Sequence, residues 1–144
     1  MLLKRKHQKV QRQRRDFQHK TALALVRQYD TIYLEDLQVA NMVRNRHLAK
    51  SISDASWAQF RTILSFKAVC AGRRVVAVPP AYTSQDCSNC GERVYKSLSV
   101  RTHICPRCGL VLDRDENAAQ NILRAGQARQ ARTWPAWPGA ASVA

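Results

Sequence analysis

The first thirty residues place an apolar side chain at every seventh position. The four residues with this spacing are Leu3, Val10, Phe17 and Ala24. Positions seven apart share one face of an α-helix, so the spacing predicts one apolar stripe on a long helix that ends at about Tyr29. Basic and polar side chains occupy most of the other positions of this predicted helix.

The middle of the chain contains two short apolar runs with a longer amphipathic segment between them. Residues 31–37 and 75–78 are largely apolar and rich in β-branched side chains, which predicts two buried strands. Residues 38–50 are polar and basic without a period, which predicts a loop. Residues 51–54 have capping-box spacing and begin a predicted helix that ends near Gly72. The predicted core positions of that helix are Trp57, Phe60, Leu64 and Ala68.

A last helix is predicted to begin in the segment "DRDENAAQNIL". Asp113 and Glu116 have capping-box spacing at its start. Its predicted apolar face consists of Ala118, Ala119, Ile122 and Leu123. Residues 126–144 contain many small residues and are predicted to form a disordered tail. The alternation of helices and strands indicates an α/β protein.

The charge of the chain changes the functional picture. Its 144 residues include 24 Lys and Arg against 10 Asp and Glu, a formal net charge of +14. This excess favours nucleic acid as the partner. Residues 1–20 hold eight cations and one acid, Asp16; the cations are Lys4, Arg5, Lys6, Lys9, Arg12, Arg14, Arg15 and Lys20. A solvated helix face and a phosphate-binding face both remain open for this segment.

The apolar runs are too short for a membrane segment. Spanning a bilayer takes about 20 consecutive apolar residues, and no run of the sequence approaches that length. The charged start of the chain also does not fit a secretory signal peptide. We therefore expect a cytoplasmic, nucleoid-associated protein with no membrane partner.

Four of the five cysteines form two CxxC-Gly knuckles, at Cys87, Cys90, Cys105 and Cys108. A two-residue gap lets both thiolates of a knuckle reach one ion, and two knuckles complete a tetrahedral site. We expect a structural Zn²⁺ there, with redox dithiols and an iron centre as the alternatives. His103 is interpreted as a surface residue rather than a substitute ligand, and Cys70 as a small buried apolar residue. The predicted ribbon strands contain Val94, Leu98, Val100 and Ile104.

Two acidic positions are candidates for chemistry. Glu35 lies near the end of the first predicted strand, where a carboxylate among apolar residues needs a partner or a metal. Asp113 and Asp115 lie in the first turn of the last predicted helix. Because the helix dipole alone favours acids at that place, a capping role and a chemical role both remain open for these two residues.

These segments together resemble the TnpB (OrfB) proteins of bacterial and archaeal insertion sequences, which are similar to type V CRISPR nucleases. The matching segments are "RRDFQHK", "IYLEDLQVANM", "SWAQFRTILSFKA", "VVAVPPAYTSQDCSNCG", "CPRCG" and "DRDENAAQNIL". The resemblance implies a partial RNase H-like (RuvC-like) domain with an inserted zinc ribbon. It also implies RNA-guided DNA cleavage with Mg²⁺, and therefore DNA and a guide RNA as partners.

The resemblance assigns roles to particular positions. Glu35 matches the second catalytic carboxylate of the family and Asp115 the third, while the four knuckle cysteines match the ribbon ligands. Residues 1–80 then hold the basic helix and part of the RuvC-like domain, and residues 81–112 the ribbon. The last RuvC-like helix covers residues 113–125.

The sequence departs from the family pattern at its start. The family carries its first catalytic aspartate on a β-hairpin strand, whereas Asp16 lies inside a predicted basic helix. We therefore expect a carboxyl-terminal part, from a short reading frame or a decayed copy, that is inactive alone because its two-Mg²⁺ site is incomplete. The alternative is a non-catalytic zinc-ribbon protein that binds nucleic acid. A zinc-ribbon transcription or ribosomal protein would leave the Glu35 and Asp115 segments unexplained.

Overall fold

The computed structural model describes residues 2–97 and 99–133, which form a mixed α/β fold. Its elements in chain order are α1 (Leu2–Gln28), β1 (Thr31–Glu35), α2 (Val39–Met42), α3 (Ala49–Ala55), α4 (Trp57–Cys70), β2 (Arg74–Val78), β3 (Thr102–Ile104), β4 (Val111–Asp113) and α5 (Arg114–Thr133). They form two compact units. Among the described residues, the first unit contains 2–32 and 37–76, and the second contains 33–36, 77–97 and 99–133.

The first unit is built on the packing of α1 against α4. Ala22 and Val26 of α1 are buried, as are Leu64 and Ala68 of α4, so two of the four predicted core positions of α4 are confirmed. Trp57 is wrongly predicted as core, because it begins α4 and is 42% exposed.

The predicted apolar stripe of α1 is wrong. Leu3 is 70% exposed, Phe17 is 69% exposed, and Val10 and Ala24 are also exposed. At 1.5 Å per residue, α1 is about 40 Å long and α4 is about 21 Å long. Since α4 is only half as long, it covers only the second half of α1, where the buried face contains Gln18 rather than Phe17.

Cys70 is exposed rather than buried, contrary to its interpretation from the sequence. It lies two residues after the buried Ala68, which places it about 200° around the axis of α4. The side chain of Cys70 therefore leaves the helix on the side away from the core.

The single helix predicted from residue 51 is two helices. Ala49–Ala55 forms α3, Ser56 has the left-handed backbone angle φ 52°, and α4 begins at Trp57. The Gln18 side chain donates to the Ser56 carbonyl over 3.3 Å and so ties α1 to this break. The capping spacing at residue 51 is therefore not a helix start, and the predicted loop of residues 38–50 contains the short helix α2.

The two strands predicted in the middle of the chain pair with each other as β1 and β2. Arg74 N–H donates to the Asp30 carbonyl at 2.9 Å, and Asp36 N–H donates to the Val78 carbonyl at 2.7 Å. Both strands therefore run in the same direction. Their side chains are mostly half-buried, so the expectation of fully buried strands is met only at Val78.

The second unit contains an antiparallel hairpin of β3 and β4, in which His103 lies opposite Leu112. The predicted ribbon strands are wrong at Val94 and Val100, which lie outside both strands, and Leu98 lies outside the described residues. Ile104 lies in β3 but is 60% exposed. The second strand of the hairpin, β4, follows the second knuckle and has only three residues. A segment this short is too brief to show a strand pattern in the sequence.

Helix α5 begins directly after β4. Asp113 Oδ1 accepts hydrogen bonds from the N–H groups of Asp115 (2.7 Å) and Glu116 (3.4 Å), so the predicted cap is confirmed. The helix continues to Thr133, which contradicts a tail that begins at residue 126; residues 134–144 lie outside the described residues. Within the part of the chain that is described, no helix is both long and apolar enough to cross a membrane.

The buried face of α5 matches the predicted one only in part, since Ala118 and Ile122 are half-buried. Ala119 and Leu123 are exposed, whereas Asn117 and Gly126 are buried. Gly126 lies against the ring of Tyr33, and a Cβ atom at this position would overlap that ring. The face that packs is therefore chosen by polar contacts and by a close approach, neither of which appears in an apolar pattern.

Candidate functional site

The two knuckles share one backbone geometry, which the glycines permit. In the first, Cys87 N–H donates to the Glu92 carbonyl over 2.8 Å and Gly91 N–H donates to the Cys87 carbonyl over 2.9 Å. The second knuckle repeats both bonds at Cys105, Leu110 and Gly109. Gly91 and Gly109 have φ angles of 77° and 73°, in the left-handed region that side chains disfavour. Each knuckle thus turns its two sulfurs to one side.

The four predicted ligands come together as one cluster. The Sγ atoms of Cys87 and Cys108 lie 3.6 Å apart, those of Cys90 and Cys105 lie 3.5 Å apart, and all four lie within 4.8 Å of one another. Tetrahedral coordination with Zn–S bonds of 2.3 Å gives S–S distances of about 3.8 Å, whereas a disulfide needs about 2.05 Å. The cluster therefore fits one metal ion and no disulfide.

The thiols of this cluster differ in acidity. The backbone N–H of Leu110 and the side chain of Asn89 donate to the sulfur of Cys108 and lower its pKa to about 6. The backbone N–H of Glu92 acts to lower the pKa of Cys90, but burial and the neighbouring thiols outweigh it and raise this pKa to about 12. One thiol therefore ionises readily while its neighbour resists, as expected where a cation must offset the crowded negative charge.

His103 is fully buried in the hairpin, which contradicts its interpretation as a surface residue. Its Nδ1 lies 2.5 Å from Nζ of Lys96, and burial followed by the Lys96 charge lowers the pKa of the imidazole. Its ring nitrogens are not among the clustered ligand atoms. His103 is therefore a core residue of the hairpin, placed there because it lies on the inward side of β3.

Glu35, at the end of β1, is held by a neutral partner. The hydroxyl of Thr83 donates to Glu35 Oε1 over 2.5 Å, and Glu35 is half-buried. The Thr83 carbonyl accepts a hydrogen bond of 2.9 Å from the side-chain amide of Asn121 on α5. Glu35 is thus connected to α5 through one threonine.

Asp115 is exposed at the start of α5 and pairs with two cations. Its carboxylate lies 3.2 Å from guanidinium nitrogens of Arg101 and of Arg114, and its side chain is 67% exposed. The cap of α5 is supplied by Asp113 instead. In residues 2–97 and 99–133, the four cysteines form the only group of three or more His, Cys, Asp or Glu side chains that is placed to hold a metal.

A polar face of α5 secures the first knuckle, and the sequence patterns did not reveal it. Asn117 is fully buried: its Oδ1 accepts from Ser88 N–H and its Nδ2 donates to the Asp86 carbonyl, both at 2.8 Å. Asn121 donates to the same carbonyl over 2.7 Å, and Arg124 donates to the Ser88 carbonyl. Two asparagines four residues apart inside a helix, where asparagine is disfavoured, were the available signal.

Most cations of the amino-terminal segment lie on the exposed surface of α1. Arg14 pairs with Asp54 at 2.9 Å, and Lys20 pairs with Asp16 at 2.7 Å. Two acids among eight cations leave a strongly positive helix surface. Such a surface attracts polyanions.

The chain matches two families in different segments. Residues 1–46 match the OrfB family, described as "Probable transposase", and residues 57–122 match the family described as "Cas12f1-like, TNB domain". A Streptomyces pristinaespiralis protein named "Putative RNA-guided DNA endonuclease" is 43% identical over 129 residues, which are 88% of this chain and 32% of that protein. "Putative RNA-guided DNA endonuclease InsQ" of Escherichia coli (strain K12) is 36% identical in an alignment 142 residues long, which covers 88% of this chain and 35% of that protein.

The fold is also similar to that of a solved structure. The "Cryo-EM structure of the Cas12f1-sgRNA-target DNA complex" contains a chain with a TM-score of 0.65 and 24% identity, over 81% of this chain and 35% of that chain. The present chain spans about a third of the length of the Streptomyces and Escherichia relatives.

Proposed function

Since this chain belongs to the TnpB/OrfB family, we propose that it supplies the zinc ribbon and two carboxylates of an RNA-guided DNA endonuclease. The observation that carries the proposal is the hydrogen-bond network of the second unit. In that network α5 holds the first knuckle through Asn117 and holds the Glu35 partner Thr83 through Asn121. The metal cluster and the two candidate acids thus depend on one helix.

The ion that we propose for the cysteine cluster is Zn²⁺, in a structural role. Four thiolates at tetrahedral spacing suit zinc and leave no open position for a catalytic water. The ion would neutralise the crowded sulfurs and hold residues 87–90 and 105–108 together. This assignment gives residues 81–112 the role of a ribbon inserted into a partial RNase H-like domain.

We propose Glu35 and Asp115 as ligands of catalytic Mg²⁺, a hard cation that prefers carboxylate oxygens. The neutral Thr83 hydroxyl orients Glu35, and the exposed ion pair between Asp115 and Arg101 is weak enough for a divalent cation to displace. Within the described residues, no group of three carboxylates is placed to hold a metal. We therefore expect cleavage only when a further polypeptide segment supplies the missing acid.

The proposed partners are DNA and, in the full-length family, a guide RNA. The formal charge of +14 and the exposed cations of α1 support binding to phosphates. The relatives named for RNA-guided DNA cleavage support the same partners.

The test is a comparison of this chain with a version that carries the upstream region of a relative. The chain alone should bind DNA but not cut it with Mg²⁺, whereas the completed protein should cut its guided target. Glu35→Gln and Asp115→Asn each keep the side-chain shape but remove the charge, so cutting should stop while zinc content and binding persist. Robust cleavage by the 144-residue chain that survives both substitutions would contradict the assignment.

A non-catalytic nucleic-acid-binding zinc ribbon is the second candidate. It is favoured by Asp115, whose carboxylate is engaged by Arg101 and Arg114 rather than grouped with other acids. If this second function is correct, the completed protein binds nucleic acid and contains one zinc ion per chain, but does not cleave DNA. The same experiment therefore separates the two functions.

A further inference from the structure

Close in sequence to the first knuckle, the guanidinium of Arg93 stacks on the ring of Tyr82. The guanidinium carbon of Arg93 lies 3.5 Å from the centroid of the Tyr82 ring. Tyr82 is nevertheless 50% exposed. Arg93 covers one face of the ring, and the exposed half of the tyrosine surface is available to a ligand.

The charge of Arg93 is already paired, which decides what kind of contact this pair makes. Its Nε lies 2.8 Å from Asp86 Oδ1, and a second nitrogen lies 3.4 Å from Asp86 Oδ2. The Asp86 carboxylate raises the pKa of Arg93 and fixes the plane of the guanidinium. Because its charge is paired with Asp86, Arg93 is a poor ligand for phosphate. Its fixed guanidinium is instead well placed to hold the Tyr82 ring for stacking.

The backbone at Tyr82 has an unusual conformation for a bulky residue. Its φ angle is 63°, in the left-handed region, and its carbonyl accepts hydrogen bonds from the N–H groups of Gln85 and Asp86, both at 2.9 Å. Glycine or asparagine adopts this conformation with less strain. Strained residues that the surrounding structure holds in place concentrate at functional sites.

We propose that the Tyr82–Arg93 pair is a stacking platform for one unpaired nucleobase of a single-stranded DNA or RNA. This inference rests on the proposed function, because it takes nucleic acid as the partner. Bases within a duplex already cover their faces, whereas an unpaired base has a free face for the ring. Tyr82 immediately precedes Thr83, the partner of Glu35, so a stacked base brings its strand to the loop that holds this carboxylate.

The first test is a photo-cross-link on the unmodified chain. The probes are a short single-stranded DNA and an RNA of the same sequence, each with one 5-iodouracil, and the same DNA as a duplex. Mass spectrometry should locate the cross-link at Tyr82 with a single strand and not with the duplex. A cross-link from DNA alone or from RNA alone still supports the platform and identifies its strand; cross-links only at other residues overturn it.

The second test uses substitutions of Tyr82 that are chosen for its left-handed backbone conformation. Tyr82→Asn removes the ring but tolerates the left-handed conformation, and should weaken single-strand binding at least about fivefold. The slope of log K against log[salt] should not change, because no phosphate contact is lost. Tyr82→Trp should retain the affinity. Tyr29→Ala is the control, since Tyr29 is 47% exposed and lies in the first unit.

The outcomes separate this inference from the proposed function. Unchanged affinity in Tyr82→Asn, with zinc content intact, overturns the platform while nucleic-acid binding stands. Equal loss of single-strand and duplex binding also overturns it. If the unmodified chain binds no nucleic acid at all, both fail. The cross-link on the unmodified chain decides the question if a Tyr82 variant does not fold.

Discussion

Replacing Asn117 by alanine tests whether α5 holds the first knuckle. The substitution removes the acceptor of Ser88 N–H, a group on a residue that is 2% exposed. Leaving a buried donor without a partner costs about 1–3 kcal/mol, and the lost hydrogen bond to Asp86 adds about 1 kcal/mol. Alanine returns roughly 0.6 kcal/mol of helix propensity. We therefore expect a loss of about 1.5–3.5 kcal/mol in the free energy of unfolding.

Asn121→Ala is the matched control on the same face of α5. It removes hydrogen bonds to two carbonyls, but the Asp86 carbonyl keeps its bond from Asn117. Carbonyls also tolerate a missing partner better than N–H groups do, so we expect a loss of about 1 kcal/mol.

The assay for both variants is urea unfolding together with the hydrogen-exchange rate of the Ser88 amide. Asn117→Ala should lose protection at Ser88, whereas Asn121→Ala should keep most of it. Equal destabilisation by the two variants, or full protection of Ser88 in Asn117→Ala, would show that the knuckle does not depend on this amide.

Three further outcomes test other parts of the structure. Elemental analysis should find one Zn²⁺ per chain, and a Cys90→Ser/Cys108→Ser variant should lose it, because both sulfurs belong to the cluster. The affinity for DNA should fall steeply with salt concentration, and the slope of log K against log[salt] should become shallower when five cations of α1 are all replaced by Gln: Lys4, Arg5, Lys6, Lys9 and Arg12. A slope of zero would show that α1 does not contact phosphates. Gly126→Ala should cost about 1–3 kcal/mol by overpacking against Tyr33, and a Tyr33→Ala background should remove most of that penalty in thermal unfolding.

Features set by neighbouring residues could be predicted from the sequence. The knuckles depend on a two-residue gap and a glycine, and the Asp113 cap depends on N–H groups two and three residues later. In each case the partners lie within a few positions of each other. The cysteine cluster also requires the two knuckles to lie together, and the repeated CxxC-Gly spacing was enough to predict this.

Features set by distant partners could not be predicted in the same way. The periodicity of α1 is real, but its packed face depends on the length and place of α4, so Phe17 is exposed and Ala22 is buried. On α5 the packed face is polar, because Asn117 bonds to a backbone segment 29 residues earlier. The predicted burial of His103 and of Cys70 was wrong for the same reason. The residue type does not tell which side of a helix or strand is covered by the rest of the protein.

The contrast between the two proposed acids follows from their partners. A charged partner would compete with a metal ion for Glu35, whereas the Thr83 hydroxyl donates to one of its oxygens and orients it. Asp115 has two charged partners: the exposed Arg101, whose attraction water and salt reduce, and Arg114, whose side chain is only 14% exposed. In the proposed Mg²⁺ site, Glu35 would be oriented before the ion binds, whereas Asp115 would have to exchange its arginines for the ion. Binding of Mg²⁺ should therefore depend on ionic strength through Asp115 more than through Glu35.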